Sequence, residues 1–163
     1  MTISVRPAAL ADAALIVALI GELAAYEQLA HEAVATPDMI ASALFGPSPR
    51  LFCDIAEWAG EPAGFALWYY SFSTFRGRHG IYLEDLFVRP AARGKGLGKA
   101  LLANLARRCQ REALARLEWS VLDWNTPSIE FYRAQGADLM DGWTRCRLDG
   151  AALVRLAGQG KLE

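Results

Sequence analysis

Two adjacent acids open the part of the chain with the clearest chemical pattern. In "YLEDLFVRPAARGKGLGKALL", residues 82–102, Glu84 and Asp85 precede a short apolar run, and a glycine-rich segment follows. A carboxylate can attract a cation and can accept a proton. Glycine lets the main chain approach a ligand without interference from a Cβ atom. The pattern therefore predicts a loop that closely contacts a ligand, beside an acid suited to proton transfer.

The glycine-rich loop, residues 93–99, lies between a predicted strand and a predicted helix. Free N–H groups and the helix dipole attract anions at such a place. Positive charge comes from three basic residues, Arg93, Lys95 and Lys99. The glycines are Gly94, Gly96 and Gly98, with Leu97 between the last two. We therefore predict that this loop binds a pyrophosphate.

Two well-known phosphate loops do not fit this segment. A P-loop reads G-x-x-x-x-G-K-[ST], but Arg93 stands at its first glycine and Ala100 at its last position. A Rossmann fingerprint follows the first strand of its fold, whereas this loop comes late and its glycines have the wrong spacing. The pattern that remains is R-x-x-G-x-G, which an ordinary glycine-rich turn with basic residues would also satisfy.

Alternating and helical patterns around the loop predict the elements that must position it. A first strand ends at Pro7, and helical spacing of apolar residues extends from about Leu10 to Ala30. Thr36 with Pro37 predicts the start of a second helix. Residues 50–58 and 63–71 form a predicted hairpin, and residues 79–90 form the strand that carries the acids.

The remaining elements follow the glycine-rich loop. We predict a helix over residues 98–114, a strand over 117–124, a short helix over 125–136 and a last strand over 143–148. The order β-α-α-β-β-β-α-β-α-β favours an α+β fold, a mixed sheet with helices on both faces. The prediction is a single domain over residues 1–163.

Composition excludes several other classes of protein. With 53% hydrophobic and 21% charged residues, the sequence is that of a globular chain and not of a disordered one. No apolar run is long enough for a membrane span, and the first residues lack a signal layout, so a cytoplasmic location is expected. A net charge of −1 gives no general attraction to nucleic acid or anionic membranes. Three cysteines and two histidines form no metal-binding pattern, so no metal is expected.

The loop and its surroundings resemble the GCN5-related N-acetyltransferase (GNAT) superfamily, which binds acetyl-coenzyme A. "VRPA" with Asp12 is similar to the opening of that fold, and "NTPSIEFYRAQGA" is similar to its late motif. "LAAYE", "YLEDLFV" and "WNTPSIEFY" most resemble the diamine (spermidine/spermine) and thialysine acetyltransferase branch. The resemblance implies the GNAT fold, a mostly antiparallel twisted sheet that is splayed at the cofactor site. It also implies a cytoplasmic homodimer, with the acceptor site partly completed at the subunit interface.

The resemblance implies direct acetyl transfer from acetyl-CoA to a primary amine in a ternary complex. Glu84 is the candidate to accept the proton of the amine, and Tyr132 the candidate to protonate the departing thiolate. The implied cofactor-binding residues are Leu86, Phe87, Val88, Arg93, Gly94, Lys95, Gly96, Leu97, Gly98, Lys99, Asn125, Ser128 and Tyr132. The implied substrate-binding residues are Tyr26, Glu27, Glu84, Asp85, Glu118, Trp119, Ser120 and Asp141. Because neighbouring strand residues point to opposite faces, Glu84 and Asp85 cannot both reach one substrate unless a bulge intervenes.

The chain departs from the polyamine-acetylating pattern in the loop before "YLED". Thr74 stands near the usual acid, with Arg76 and Arg78 beside it. Arginines repel a polycation and suit a carboxylate, which favours a short diamine or an amino acid such as lysine or thialysine as acceptor. The alternatives are a non-catalytic acyl-CoA sensor, or an acetyltransferase acting on a protein or antibiotic amine.

Overall fold

A five-stranded sheet carries the candidate site in the computed structural model, which describes residues 2–159. The strands are β1 (Ile3–Pro7), β2 (Phe52–Trp58), β3 (Glu61–Ser73), β4 (Arg78–Val88) and β5 (Leu117–Trp119). Their order in the sheet is the same as in the sequence. The pairs from β1 to β4 are antiparallel, and β4 pairs with β5 in parallel.

The described helices are α1 (Ala13–Tyr26), α2 (Pro37–Phe45), α3 (Leu97–Arg111), α4 (Thr126–Ala134) and α5 (Gly150–Gln159). Short 3-10 turns lie at Leu10–Asp12, Ala30–Glu32 and Pro90–Ala92. The chain forms two compact units that divide between Trp124 and Asn125. The predicted domain range of 1–163 also includes Met1 and residues 160–163, which lie outside the described residues.

Local sequence signals explain most of these boundaries. Thr36 caps α2 by accepting a hydrogen bond from the Met39 N–H at 3.3 Å, with Pro37 in the first turn. The β2–β3 hairpin turns at Ala59 and Gly60, both in the left-handed region at φ 54° and 87°. Two consecutive left-handed residues match the right-handed twist of the strands, so a two-residue turn suffices.

Helices cover both faces of the sheet within the first unit. Leu67 belongs to a buried cluster with α1 and α2, whereas its neighbour Trp68 lies under α3, with the Arg108 guanidinium 4.8 Å from its ring. Successive strand residues point to opposite faces, so these contacts assign one face to α1 and α2 and the other to α3. The predicted mixed fold with helices on both faces is confirmed.

Three predicted elements need correction. The helix expected over residues 10–30 ends at Tyr26, because Gln28 adopts a left-handed φ of 62° that an α-helix cannot continue through. The strand expected over residues 117–124 stops at Trp119, where the pairing with β4 ends. The strand expected over residues 143–148 is wrong: these exposed residues have no regular secondary structure, and the unpredicted helix α5 follows them.

Candidate active site

A β-bulge in β4 places Glu84 beside Asp85. Leu67 of β3 is paired with Asp85 and the next residue, Trp68, with Leu83, so Glu84 is an extra residue in β4. At a bulge, two residues oppose one on the neighbouring strand, and the usual alternation of side chains is interrupted. The bulge therefore removes the geometric objection to both acids serving one substrate.

Burial and two neighbouring carboxylates raise the pKa of Asp85 at this bulge. The side chain of Asp85 is half-buried, and that burial, followed by the charges of Glu84 and Glu27, raises its pKa from 3.8 to about 6. Burial also raises the pKa of Glu27. Glu84 itself is exposed. The cluster concentrates negative charge on a small region, which favours a cationic ligand or a proton.

The end of α1 brings Tyr26 and Glu27 to this cluster. Tyr26 is the last residue of the helix and Glu27 follows it. The chain then closes the helix end through a hydrogen bond from the Leu29 N–H to the Ala24 carbonyl at 2.8 Å. Gln28, in its left-handed conformation, makes this closure possible. The predicted acceptor-contacting pair thus lies next to the predicted catalytic strand.

Aromatic residues that the sequence did not single out lie on β3 and β4, close to the bulge, and beside Tyr26. Tyr69 of β3 and Tyr82 of β4 stack with ring centroids 5.3 Å apart, and both are half-buried. Trp124 is 51% exposed, with its ring centroid 6.4 Å from that of Tyr26. Aromatic faces next to carboxylates are suited to an ammonium group. Their alternation in the strands was visible in the sequence, but nothing there separated them from core aromatics.

The edge of β4 that faces β5 has no strand partner at the bulge and beyond it within the described residues. Within the described residues, β5 pairs with β4 only at Ile81, Tyr82 and Leu83. The predicted cofactor-contacting segment, Leu86–Val88, continues past that point as a strand, with Phe87 buried. Its outward N–H and C=O groups have no strand partner on this side in the described part of the chain. A strand edge of this kind can form hydrogen bonds with an extended ligand.

The glycine-rich loop connects β4 to α3 with two left-handed glycines. Gly94 has a φ of 74° and Gly96, the N-cap of α3, has a φ of 90°, a region that L side chains rarely adopt. No side-chain hydrogen bond caps this end of α3 among the described residues. The first-turn N–H groups therefore remain suitable for an anion. Leu97, the first residue of α3, is buried and anchors this end of the helix, and Gly98 follows it in the first turn.

Two of the loop cations bind to the protein itself. The Arg93 Nε donates to the Val88 carbonyl at 3.0 Å, and the Lys95 Nζ donates to the Ala91 carbonyl at 2.9 Å. The guanidinium of Arg93 lies 4.5 Å from the ring centroid of Tyr26. Lys99 is exposed in the first turn of α3. The cofactor contacts predicted for these three residues stay predictions.

The acceptor residues predicted on β5 lie beside Tyr82. The Glu118 carboxylate forms an ion pair with the Arg116 Nε at 2.6 Å, so its charge is already compensated within the chain. The Ser120 hydroxyl lies 2.8 Å from the Tyr82 hydroxyl, at hydrogen-bond distance. Trp119 pairs with Leu83 and is half-buried. Ser120 therefore contacts Tyr82, one of the two stacked tyrosines near the bulge.

The other predicted site residues belong to the second unit. The Asn125 side chain caps α4 by accepting a hydrogen bond from the Ser128 N–H at 3.4 Å, and Asn125 is buried. Tyr132 is also buried, and Asp141 is exposed in a turn. Gly136, with a φ of 86°, follows the end of the helix as the sequence predicted. The roles predicted for Asn125, Ser128, Tyr132 and Asp141 stay predictions.

Residues 2–159 contain neither a candidate metal-binding group nor a candidate membrane-spanning helix. No group of three or more histidine, cysteine, aspartate or glutamate side chains in this range could hold a metal ion. None of its helices combines the length and the apolar character that crossing a membrane requires.

Comparison with known proteins gives a consistent family. Residues 18–137 match the model of the acetyltransferase (GNAT) family. A thialysine N-epsilon-acetyltransferase of Bos taurus is 36% identical, over 96% of this chain and 98% of that protein. An L-ornithine N5-acetyltransferase of Arabidopsis thaliana is 42% identical, over 56% of this chain and 40% of that protein. Among solved structures, an integron cassette protein from the mobile metagenome of V. cholerae has a TM-score of 0.80 and 27% identity, and the match covers 96% of this chain and 98% of that one.

Proposed function

The chain belongs to the acetyltransferase (GNAT) family, in its diamine/thialysine branch, and we propose that it transfers acetyl from acetyl-CoA to the side-chain amine of a small amino acid. The observation that carries the proposal is the group of three carboxylates, Glu27, Glu84 and Asp85, at a bulge where the described pairing of β4 with β5 has ended. This arrangement provides attraction for an ammonium group and acceptors for its proton at the same place.

The donor side of the site fits a coenzyme A thioester. The edge of Leu86–Val88 suits an amide-containing pantetheine arm, and the N–H groups at the start of α3 suit a pyrophosphate. The predicted contacts of Gly94, Gly96, Gly98 and Lys99 belong to this part of the proposal. A backbone N–H of the β4 segment would polarise the thioester carbonyl, as an oxyanion-hole donor does.

The acceptor amine must lose a proton before it attacks. A primary amine has an ordinary pKa of about 10, so it arrives as a cation at neutral pH. In the proposal, Glu84 accepts this proton through water, and Asp85 holds the ammonium group before the transfer. The nitrogen then attacks the thioester carbonyl, the C–S bond breaks, and Tyr132 protonates the thiolate. The nitrogen gives its second proton to the Tyr132 phenolate, and Glu84 releases the first proton to solvent, so both side chains return to their starting protonation states.

The arginines of the β3–β4 turn favour an acceptor that bears a carboxylate. Arg76 and Arg78 are both exposed at this turn. Asp85 lies seven positions after Arg78 along β4, a distance of about 23 Å. An amino acid of lysine size cannot bridge that distance within one chain. We therefore propose that the arginines of a second copy complete the site, in a cytoplasmic homodimer.

Thiol release from acetyl-CoA in the presence of different amines tests this function. The panel comprises thialysine, lysine, ornithine, putrescine, spermidine and spermine, at equal concentrations. We expect the amino acids with a side-chain amine to be the better acceptors, and Arg78→Ala to reduce that preference. Much faster turnover of spermine would contradict the preference for a carboxylate. Tight binding of acetyl-CoA without turnover of any amine would instead support an acyl-CoA sensor.

A further inference from the structure

We infer that Arg93 is a positioning residue that ties the acceptor wall of the site to the coenzyme strand, a role separate from binding the pyrophosphate. The acceptor wall is defined as Tyr26, Glu27 and Trp124. This inference rests on the proposed function, because it assigns Val88 to the coenzyme side and Tyr26 to the acceptor side.

The contacts of Arg93 lead from one side of the site to the other. Its Nε donates to the Val88 carbonyl at 3.0 Å, at the end of β4. Its guanidinium carbon lies 4.5 Å from the ring centroid of Tyr26 and 5.7 Å from that of Phe87. The Tyr26 ring in turn lies 6.4 Å from the Trp124 ring. Arg93 therefore joins β4 to the end of α1, and Tyr26 continues these contacts to the segment after β5.

The chemistry of these contacts requires arginine. A guanidinium is planar, so it can stack on a tyrosine ring while an edge N–H donates to a carbonyl. A lysine carries the same charge and can bind a phosphate, but it offers no planar face and no Nε at the same position. The two roles of Arg93 therefore respond differently to Arg93→Lys.

The end of α1 has a particular need for such a contact. Gln28, two residues after its last residue, is held in the left-handed region, and Ala30–Glu32 form only a short 3-10 turn. Glu27 is part of the carboxylate cluster that raises the pKa of Asp85. A contact that fixes Tyr26 also fixes the backbone from which Glu27 extends. Loss of the contact is therefore expected to weaken acceptor binding more than acetyl transfer.

Kinetics with two acetyl donors separate this role from phosphate binding. Arg93→Lys and Arg93→Gln are each assayed with acetyl-CoA and with S-acetylpantetheine, which lacks the pyrophosphate. We expect both variants to raise the KM of the acceptor about fivefold with either donor, the effect of one cation–π contact, with a smaller change in kcat. Lys99→Gln is the matched control, because this exposed cation at the start of α3 should affect acetyl-CoA only. An effect of Arg93→Gln confined to acetyl-CoA, with normal Arg93→Lys, would overturn the inference.

Tryptophan fluorescence tests the same role of Arg93 without requiring catalytic turnover. Release of Tyr26 should alter the surroundings of Trp124, so Arg93→Gln should change the tryptophan emission spectrum of the protein. In a Trp124→Phe background, that difference should disappear. Identical spectra for wild type and Arg93→Gln would overturn the inference. If no amine in the panel is acetylated, the proposed function fails, and the emission spectra still decide the role of Arg93.

Discussion

Replacing Asp85 by asparagine should stabilise the folded protein at neutral pH. Asp85 is half-buried beside Glu84 and Glu27, and it is ionised above its raised pKa of about 6. Asparagine has a similar shape and carries no charge, so the variant removes the unfavourable burial and the repulsion together. The same variant should lose acceptor affinity, because one of the three carboxylates is gone.

The pKa of Asp85 gives the size of the effect. It rises from 3.8 to about 6 on folding, and each unit corresponds to about 1.4 kcal/mol. The ionised carboxylate therefore costs the folded state at most about 3 kcal/mol. Because the side chain is only half-buried, we expect a gain of about 1–3 kcal/mol, or roughly 3–8 °C in Tm.

The sign of the pH dependence follows from the direction of the shift. Below pH 3.8, Asp85 is protonated in both the folded and the unfolded chain, and it makes no difference to stability. As the pH rises to about 6, the unfolded chain loses its proton first, so the wild type loses stability in this window. Above about pH 6 the loss is complete. The advantage of Asp85→Asn should therefore grow between these pH values and then remain constant.

Urea unfolding of both proteins at pH 4, 5, 6 and 8 measures this difference. Asp123→Asn, at an exposed position outside the acid cluster, is the control and should change stability by less than about 0.5 kcal/mol at every pH. An Asp85→Asn protein that is equally stable or less stable than wild type at pH 8 would show that Asp85 is not destabilising. The reasoning on the carboxylate cluster would then be refuted.

Three further predictions address the base, the loop and the first strand. If Glu84 accepts the proton, Glu84→Gln should lower kcat/KM by about 10²- to 10⁴-fold. The pH–rate profile of this variant should also lose part of its acid limb. A normal profile would mean that Glu84 has only an electrostatic role. Gly96→Ala should cost about 1–2 kcal/mol of stability, because of the φ of 90°, and weaken CoA binding in calorimetry. Unchanged affinity for CoA would show that the glycine-rich loop does not bind the coenzyme. The hydrogen bonds from Arg6 lower the pKa of Asp12, so Asp12→Asn should destabilise the protein at pH 7, and the difference should vanish as the pH falls below the ordinary range for aspartate. A difference that persists in acid would indicate a packing effect instead.

Much of the fold was predictable because local signals and hydrophobic periodicity agree. Three local features occur where a residue type prefers the conformation that is needed. They are the cap at Thr36, the turn between β2 and β3, and the glycine after α4. The misplaced last strand shows the limit of this approach. Residues 143–148 suit a strand by composition, but a strand requires a partner, and the sequence does not specify one. The sequence does contain a signal for helix α5. After Asp149 it has a run rich in alanine, leucine, arginine and glutamine, which are good helix formers.

The site was predictable as a set of residues and not as a geometry. The acids at Glu84 and Asp85 and the pair at Tyr26 and Glu27 were identified from their sequence motifs, and the structure brings these four together. The bulge was not predictable, because it depends on the register between β3 and β4 and leaves no mark in residue type. The contact of Arg93 with Tyr26 likewise depends on tertiary packing, so the sequence pattern alone assigned Arg93 to the coenzyme.

The bulge and the raised pKa of Asp85 support the same conclusion about function. A regular strand would send Glu84 and Asp85 to opposite faces and would avoid the repulsion between them. The observed strand includes an extra residue, and Asp85 is more easily protonated as a result of burial and the neighbouring charges. The ionised Asp85 costs the folded state stability. An arrangement that destabilises the fold in this way is best explained by the demands of a ligand, since proteins tolerate such strain mainly at functional sites. A cationic amine supplies what the cluster lacks, because its positive charge offsets the repulsion among the three carboxylates.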